Sequence, residues 1–252
     1  MIRLDHLSHK IAGTTILDDI TATLPKGGVT ALIGPNGAGK STLLRLIGRL
    51  EPLQTGKISI DGLDVASTPT ETLARTVAIL GQQTLIASRL RLRELVGFGR
   101  WPHHQGRPGP KDQVAVDDAL NCFGLMPLAD RFLDELSGGQ AQRGFLAMTF
   151  AQDTDWLLLD EPLNNLDMRH ARALMGELAG LVRRTGKSVV VVVHEVNYAA
   201  AWADHIVALK DGRITLQGTP DEVLTETALA ALYDTPITVA RHNDRPLVLH
   251  HH

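Results

Sequence analysis

Residues 34–41 read GPNGAGKS and fit the spacing G-x-x-x-x-G-K-[ST]. Glycines at Gly34, Gly37 and Gly39 let backbone N–H groups approach phosphate oxygens, and Pro35, Asn36 and Ala38 complete the loop. An apolar stretch precedes the loop and a helical pattern follows it. The loop therefore opens a helix whose N-terminal dipole favours anions. In this pattern Lys40 reaches the β- and γ-phosphates, Ser41 ligates Mg²⁺, and the Thr42 hydroxyl bonds a phosphate oxygen. A second stretch, residues 156–162 (WLLLDEP), is an apolar strand ending in two carboxylates. Asp160 would hold the metal through water, and Glu161 would polarise an attacking water. Phosphoryl transfer needs mainly positioning and charge neutralisation, which such a pair supplies. An Asp-Glu pair at a strand end is by itself more often a solvated turn. Beside a phosphate loop, the catalytic reading is the better one.

These side chains need a scaffold, and the apolar pattern supplies one. Residues 29–33 (VTALI), 76–80 (TVAIL), 156–160 (WLLLD) and 188–194 (SVVVVVH) read as strands. Each run is continuous rather than alternating, as expected for a parallel sheet covered on both faces. Leu43, Leu44, Ile47 and Leu50 recur at helical spacing. Residues 205–218 read as a hairpin turning at Asp211-Gly212, and the stretch before Pro25 reads as a small β layer. Residues 84–142 differ: helical patterns cover 91–99 and 113–123, with WPHHQGRPGPKD between them as a loop. The fold class is α/β, a parallel-sheet domain with a helical insertion.

Composition narrows the functions. The chain has 252 residues, with 25 Lys plus Arg against 28 Asp plus Glu, a formal charge of −3. That near-neutral balance argues against binding nucleic acid by bulk electrostatics. A hydrophobic fraction of 44% excludes a disordered chain. The single cysteine, Cys122, excludes a disulfide framework and reads as core. The most apolar run is the five valines at 189–193, whereas a spanning helix needs roughly 18 apolar residues. The first residues lack the apolar core of a secretory signal. Histidines 250–252 match a purification-tag remnant and carry no fold argument.

Residues 136–140, LSGGQ, make the reading specific. With the phosphate loop and WLLLDEP, the chain resembles the ATP-binding subunit of an ABC transporter. The resemblance implies a P-loop NTPase with a RecA-like core and an N-terminal antiparallel β layer, over residues 1–83 and 143–224. It implies a helical subdomain at 84–142 carrying the signature, and a C-terminal segment at 225–252. It implies ATP and Mg²⁺, with Ser41, Gln82 and Asp160 around the metal. Ser137, Gly138, Gly139 and Gln140, at a helix N-terminus at Gly139–Gln140, would bind the ATP held by the opposite subunit. The implied assembly is a head-to-tail dimer with two ATP molecules. Gln82 matches the glutamine that senses Mg²⁺, with Gly81 where proline is common. Residues 164–167 (NNLD) match the loop whose Asp167 contacts the partner subunit. His194 matches the histidine that bonds the γ-phosphate, followed by Glu195 where aspartate is common. One departure weighs more: Ile11 stands where family members stack an aromatic ring on adenine. Base stacking is worth about 1–3 kcal/mol, so its loss weakens ATP binding about tenfold or more unless another group covers the ring, and relaxes base selectivity. His9 reads as packed or solvated rather than as a substitute.

Residues 94–104 (ELVGFGRWPHH) resemble the ATPases that serve iron–siderophore, haem and cobalamin importers, and residues 160–170 (DEPLNNLDMRH) and 205–214 (HIVALKDGRI) are especially similar to the ferric-siderophore branch. That implies integral-membrane permease subunits as partners, a substrate-binding protein indirectly, no nucleic acid, and a place on the cytoplasmic face of the bacterial membrane. Residues 85–100 would receive a permease helix, with Leu90, Leu92, Leu95 and Phe98 offering apolar contacts. Trp101, His103 and His104 read as surface loop rather than a metal site, because no carboxylate or cysteine accompanies them. The rival readings are a permease-free ATPase of cluster assembly, an exporter ATPase and a catalytically silent binding module.

Overall fold

The valine run becomes the middle of a six-stranded sheet. In this computed structural model, which describes residues 1–81, 89–164 and 166–249, the strand order is β10 (Arg213–Gly218), β9 (His205–Lys210), β3 (Gly28–Ile33), β8 (Ser188–Val192), β7 (Trp156–Leu159) and β6 (Val77–Leu80). β3, β6, β7, β8 and β9 are parallel, and β10 is an antiparallel edge. Their side chains alternate between two cores. Val189, Val191 and Leu157 face one side, and Val190, Val192, Trp156 and Leu158 the other. The β9–β10 turn has Asp211 and Gly212 both at positive φ, 48° and 74°, the primed geometry that matches strand twist.

One face is covered by an antiparallel sheet of β2 (Thr14–Leu24), β1 (Ile2–Ile11), β4 (Thr55–Ile60) and β5 (Leu63–Asp64), with α1 (Lys40–Ile47) between the layers. α1 ends at Ile47, so Leu50 is exposed instead of continuing its apolar stripe. Helix α2 (Thr70–Ala74) leads into β6. The other face carries α3 (Leu92–Phe98), α4 (Trp101–His104), α5 (Pro110–Cys122), α6 (Gly138–Ala151), α7 (Met168–Thr185) and α8 (Val196–Trp202). The chain ends in α9 (Pro220–Val223), α10 (Glu226–Tyr233) and a hairpin of β11 (Thr238–His242) and β12 (Arg245–Leu249).

One expectation for the helical segment is corrected. The stretch WPHHQGRPGPKD is not simply a loop: it forms α4 and opens α5. Proline early in each helix is pre-set for that position, and a buried Arg100–Asp112 pair joins the two turns. The division between residues 142 and 143 falls inside α6, which packs its glycine Gly144 against Leu92 of α3.

The β layer is pinned to the central sheet by Asp61. Its carboxylate accepts hydrogen bonds from Lys26 Nζ (2.9 Å), the Trp156 indole (3.1 Å) and the Met1 amino group. Burial pushes its pKa upward, and the three donors outweigh that, holding it at about 2 against an ordinary 3.8. The stabilisation is therefore complete above 3.8 and is lost as pH falls toward about 2. Asp61→Asn should flatten that part of an acid-unfolding curve followed by circular dichroism. A curve unchanged from the wild type would remove Asp61 from the acid transition.

Candidate nucleotide-binding and catalytic site

The parallel strands β3, β7 and β8 end on the same side of the sheet, where ligands bind in open α/β folds. β3 delivers the phosphate loop. Gly34 has φ 139°, and a Cβ there would lie 1.9 Å from the Leu209 carbonyl oxygen, so no side chain fits. Gly39, at φ 98°, precedes α1, which has no side-chain cap and no acidic residue in its first turn. The first N–H groups of α1 are thus left for an anion. Lys40 is only 5% exposed, and its ammonium donates to the carbonyls of Gly34 (2.8 Å) and Pro35 (2.9 Å). Burial lowers its pKa, opposed by the negative charges of Glu161 and Asp160. Phosphate oxygens are better partners for a buried cation than neutral carbonyls.

β7 delivers the carboxylates. Ser41 Oγ donates to Asp160 Oδ1 at 2.7 Å. Burial raises the pKa of Asp160, the Ser41 hydroxyl opposes it, and the neighbouring Glu161 charge adds to it. Glu161 has φ 51°, a strained left-handed backbone for a residue with a side chain. That backbone turns its carboxylate toward the end of β8, where Oε1 lies 2.7 Å from His194 Nε2. Oε2 accepts a hydrogen bond from Asn164 Nδ2 at 2.6 Å. Asn36, Gly37, Ala38, Gly39, Lys40, Ser41, Thr42, Glu161 and His194 line one cavity of about 260 Å³, together with Ile11 and Ile16. A neighbouring cavity of about 530 Å³ is lined by Gly34, Pro35, Asn36, Asn164, His194 and Tyr233.

The residues fit a nucleotide with its cation. A glycine cradle, an uncapped helix and a buried lysine suit phosphates. One hydroxyl and one carboxylate in contact suit a hard cation whose other ligands come from phosphate and water. Among the described residues no cluster of three or more His, Cys, Asp or Glu is arranged to hold a metal by itself.

Residues 17–164 match the family described as ABC transporter. The chain belongs to that family, as one of its ATPases. The petrobactin import ATP-binding protein YclP of Bacillus subtilis is 44% identical over 95% of both chains. Among solved structures, a putative metal-chelate type ABC transporter in an inward-facing conformation superposes with TM-score 0.85 at 25% identity, over 98% of this chain and 96% of that one. A dimeric ATP-binding cassette holding ADP and Pi after hydrolysis gives 0.77 at 26% identity, over 87% and 98%.

Of the other residues that the resemblance singles out, Ser137, Gly138, Gly139, Gln140 and Asp167 line neither cavity. Ser137 caps α6: its Oγ accepts the Gln140 N–H at 3.3 Å, and the Gln140 side chain accepts the Ser137 N–H at 3.0 Å. The helix starts at Gly138, one residue earlier than expected. Gln142 of the same helix donates to the Pro162 carbonyl at 3.0 Å, linking the signature helix to the turn after Glu161. Asp167 caps α7 through the His170 N–H (2.8 Å) and pairs with the His170 ring (2.7 Å). Those bonds, the backbone one first, hold its pKa down. Gln82 lies outside the described residues.

His9 is buried and pairs with Glu51 at 3.1 Å, so it is packed and lines neither cavity. His103 and His104 are engaged locally, with the Gln152 carbonyl and the Gly106 N–H. Leu92 and Leu95 face the core, leaving Phe98 exposed. Asn164, Ile16 and Tyr233 are the site residues that sequence reasoning passed over. Asn164 lay within a recognised loop, but only its aspartate carried a role.

Ile11 is 43% exposed and lines the first cavity with Ile16, giving it an aliphatic surface. Ile11→Tyr should tighten nucleotide binding about tenfold by restoring base stacking. Fluorescent-nucleotide titration checks it, and unchanged affinity would remove Ile11 from the base site.

Proposed function

We propose that this chain hydrolyses ATP to power an importer of ferric siderophores. The observation that carries the reading is the contact of Glu161 with His194 beside a buried Lys40 and a bonded Ser41–Asp160 pair. The likeness to a petrobactin import ATP-binding protein and to a metal-chelate type transporter supports the cargo class. No helix of the described residues is long and apolar enough to cross a membrane. In this reading the chain works through permease subunits, on the cytoplasmic face of the membrane, and the likeness to import ATP-binding proteins supports that.

In this reading the N–H groups of Gly37, Gly39 and Lys40 receive the phosphates, and the Lys40 ammonium exchanges its two carbonyls for β- and γ-phosphate oxygens. Thr42 adds a hydroxyl. Ser41 and Asp160, with Gln82 as the resemblance implies, would hold Mg²⁺, which would neutralise charge on the phosphates. Ser137, Gly138, Gly139, Gln140 and Asp167 act on the site of a second copy. The dimeric cassette with ADP and Pi supports that arrangement. Glu161 takes a proton from water as the water oxygen attacks the γ-phosphorus. The bond to ADP breaks, and inorganic phosphate leaves. His194 holds a γ-phosphate oxygen and orients Glu161. Once phosphate leaves, the charge bridging the two copies is gone, the dimer opens, and the permease moves with it.

The test is uptake of labelled ferric siderophore in cells whose only copy carries Lys40→Ala, with haem and cobalamin in parallel. Selective loss of siderophore uptake supports the reading. Selective loss of haem or cobalamin uptake reassigns the cargo. Normal uptake of all three overturns the importer reading for these cargoes.

A further inference from the structure

His194, Glu195 and Val196 form one wall of a cavity of about 550 Å³, and Tyr233, Ile237 and Val248 stand across it. A side chain that must hold a fixed position is ordinarily backed by packed neighbours. Here the backing comes from the C-terminal hairpin through α8. That helix begins two residues after His194, and its cap is Glu195, whose carboxylate accepts the Asn197 N–H at 2.9 Å. The Asn197 side chain then makes two opposed hydrogen bonds with the backbone of Val248 on β12. Its Oδ1 accepts the Val248 N–H at 2.8 Å, and its Nδ2 donates to the Val248 carbonyl at 3.1 Å. One amide thus meets the strand edge as a residue of a neighbouring strand would. Arg245 adds a bond to the Ala200 carbonyl at 3.2 Å, and Val248 and Ile237 are buried in the main core. A two-stranded hairpin is marginal by itself, so its docking fixes both partners.

We propose that Asn197 is a positioning residue for His194, and that the β11–β12 hairpin thereby belongs to the hydrolysis machinery. The inference rests on the reading of His194 as the residue that bonds the γ-phosphate. Losing both Val248 bonds frees the first turn of α8 to shift into the cavity, carrying His194 off Glu161.

The experiment uses the full chain with Mg-ATP and four variants: Asn197→Ala, Asn197→Asp, His194→Ala and the double variant Asn197→Ala/His194→Ala. Asn197→Ala should lower kcat about tenfold and leave KM for ATP within about twofold. Asn197→Asp keeps the acceptor for the Val248 N–H but sets a carboxylate oxygen against the Val248 carbonyl, so it should lose at least as much as Asn197→Ala. The double variant should be no slower than His194→Ala, because both changes act through one group. In the nucleotide-free chain, the NMR ring signals of His194 should shift or broaden in Asn197→Ala. A wild-type kcat with unchanged His194 signals, while the Val248 amide exchanges faster, would overturn the proposal. So would losses that multiply in the double variant. If His194→Ala hydrolyses ATP normally, the γ-phosphate reading itself falls, and the His194 signals in Asn197→Ala still decide whether Asn197 positions the ring.

Discussion

Titrating Lys40→Ala with ATP in a calorimeter should give no heat at concentrations that saturate the wild type, a loss of about a hundredfold or more in affinity. The magnitude follows from where the ammonium sits. It is buried in the loop and already bonded to two carbonyls, so its direction is fixed before nucleotide arrives. A hydrogen bond involving a charged group contributes about 1.5–3 kcal/mol, and two to phosphate give about 3–6 kcal/mol. The fold should survive. Removing a cation whose pKa burial already lowers relieves a desolvation cost, which offsets the two lost carbonyl bonds. Thermal unfolding of the variant checks that, and unchanged ATP affinity in a folded protein would refute the phosphate-loop assignment. The same loss should appear with ADP, since the β-phosphate shares the lysine.

What the sequence discloses here is whatever is local. The loop at 34–41 is legible because glycine and lysine spacing is itself the mechanism, and the buried strands because unbroken valine and leucine runs fit few other places. Where a residue's partner lies far along the chain, the pattern is silent. His9 is isolated in the sequence, and only the fold brings Glu51 to it. Asn197 is an ordinary polar residue on a short helix until β12, about fifty positions later, lays its backbone against it. Leu50 satisfied a helical period by coincidence, since the helix ends at Ile47 and the next residues turn away. The helix at 101–104 was hidden by its own composition: proline and histidine read as loop, yet proline is at home in a first turn. The strain at Glu161 is invisible beforehand, because nothing in an Asp-Glu-Pro string fixes the glutamate's φ.

Glu161→Gln should separate binding from hydrolysis. The amide keeps the shape of the carboxylate and can still accept the hydrogen bond from Asn164, but it cannot take a proton from water. General-base contributions run to about 10²–10⁴-fold, so turnover should fall about a thousandfold while ATP affinity stays within a few-fold. The contrast with Lys40→Ala is then one of assembly. With binding intact and hydrolysis stopped, the two copies should stay closed around ATP, and saturating Mg-ATP should double the apparent mass on a sizing column. Lys40→Ala, which cannot hold the nucleotide, should elute as a monomer under the same conditions. Hydrolysis within tenfold of wild type would take the general-base role away from Glu161. A Glu161→Gln chain that binds ATP, fails to hydrolyse it and still elutes as a monomer would leave the cis chemistry standing. It would overturn the assignment of Ser137, Gly138, Gly139, Gln140 and Asp167 to the partner's nucleotide, a role proposed for them because none of them lines either cavity beside the phosphate loop of its own chain.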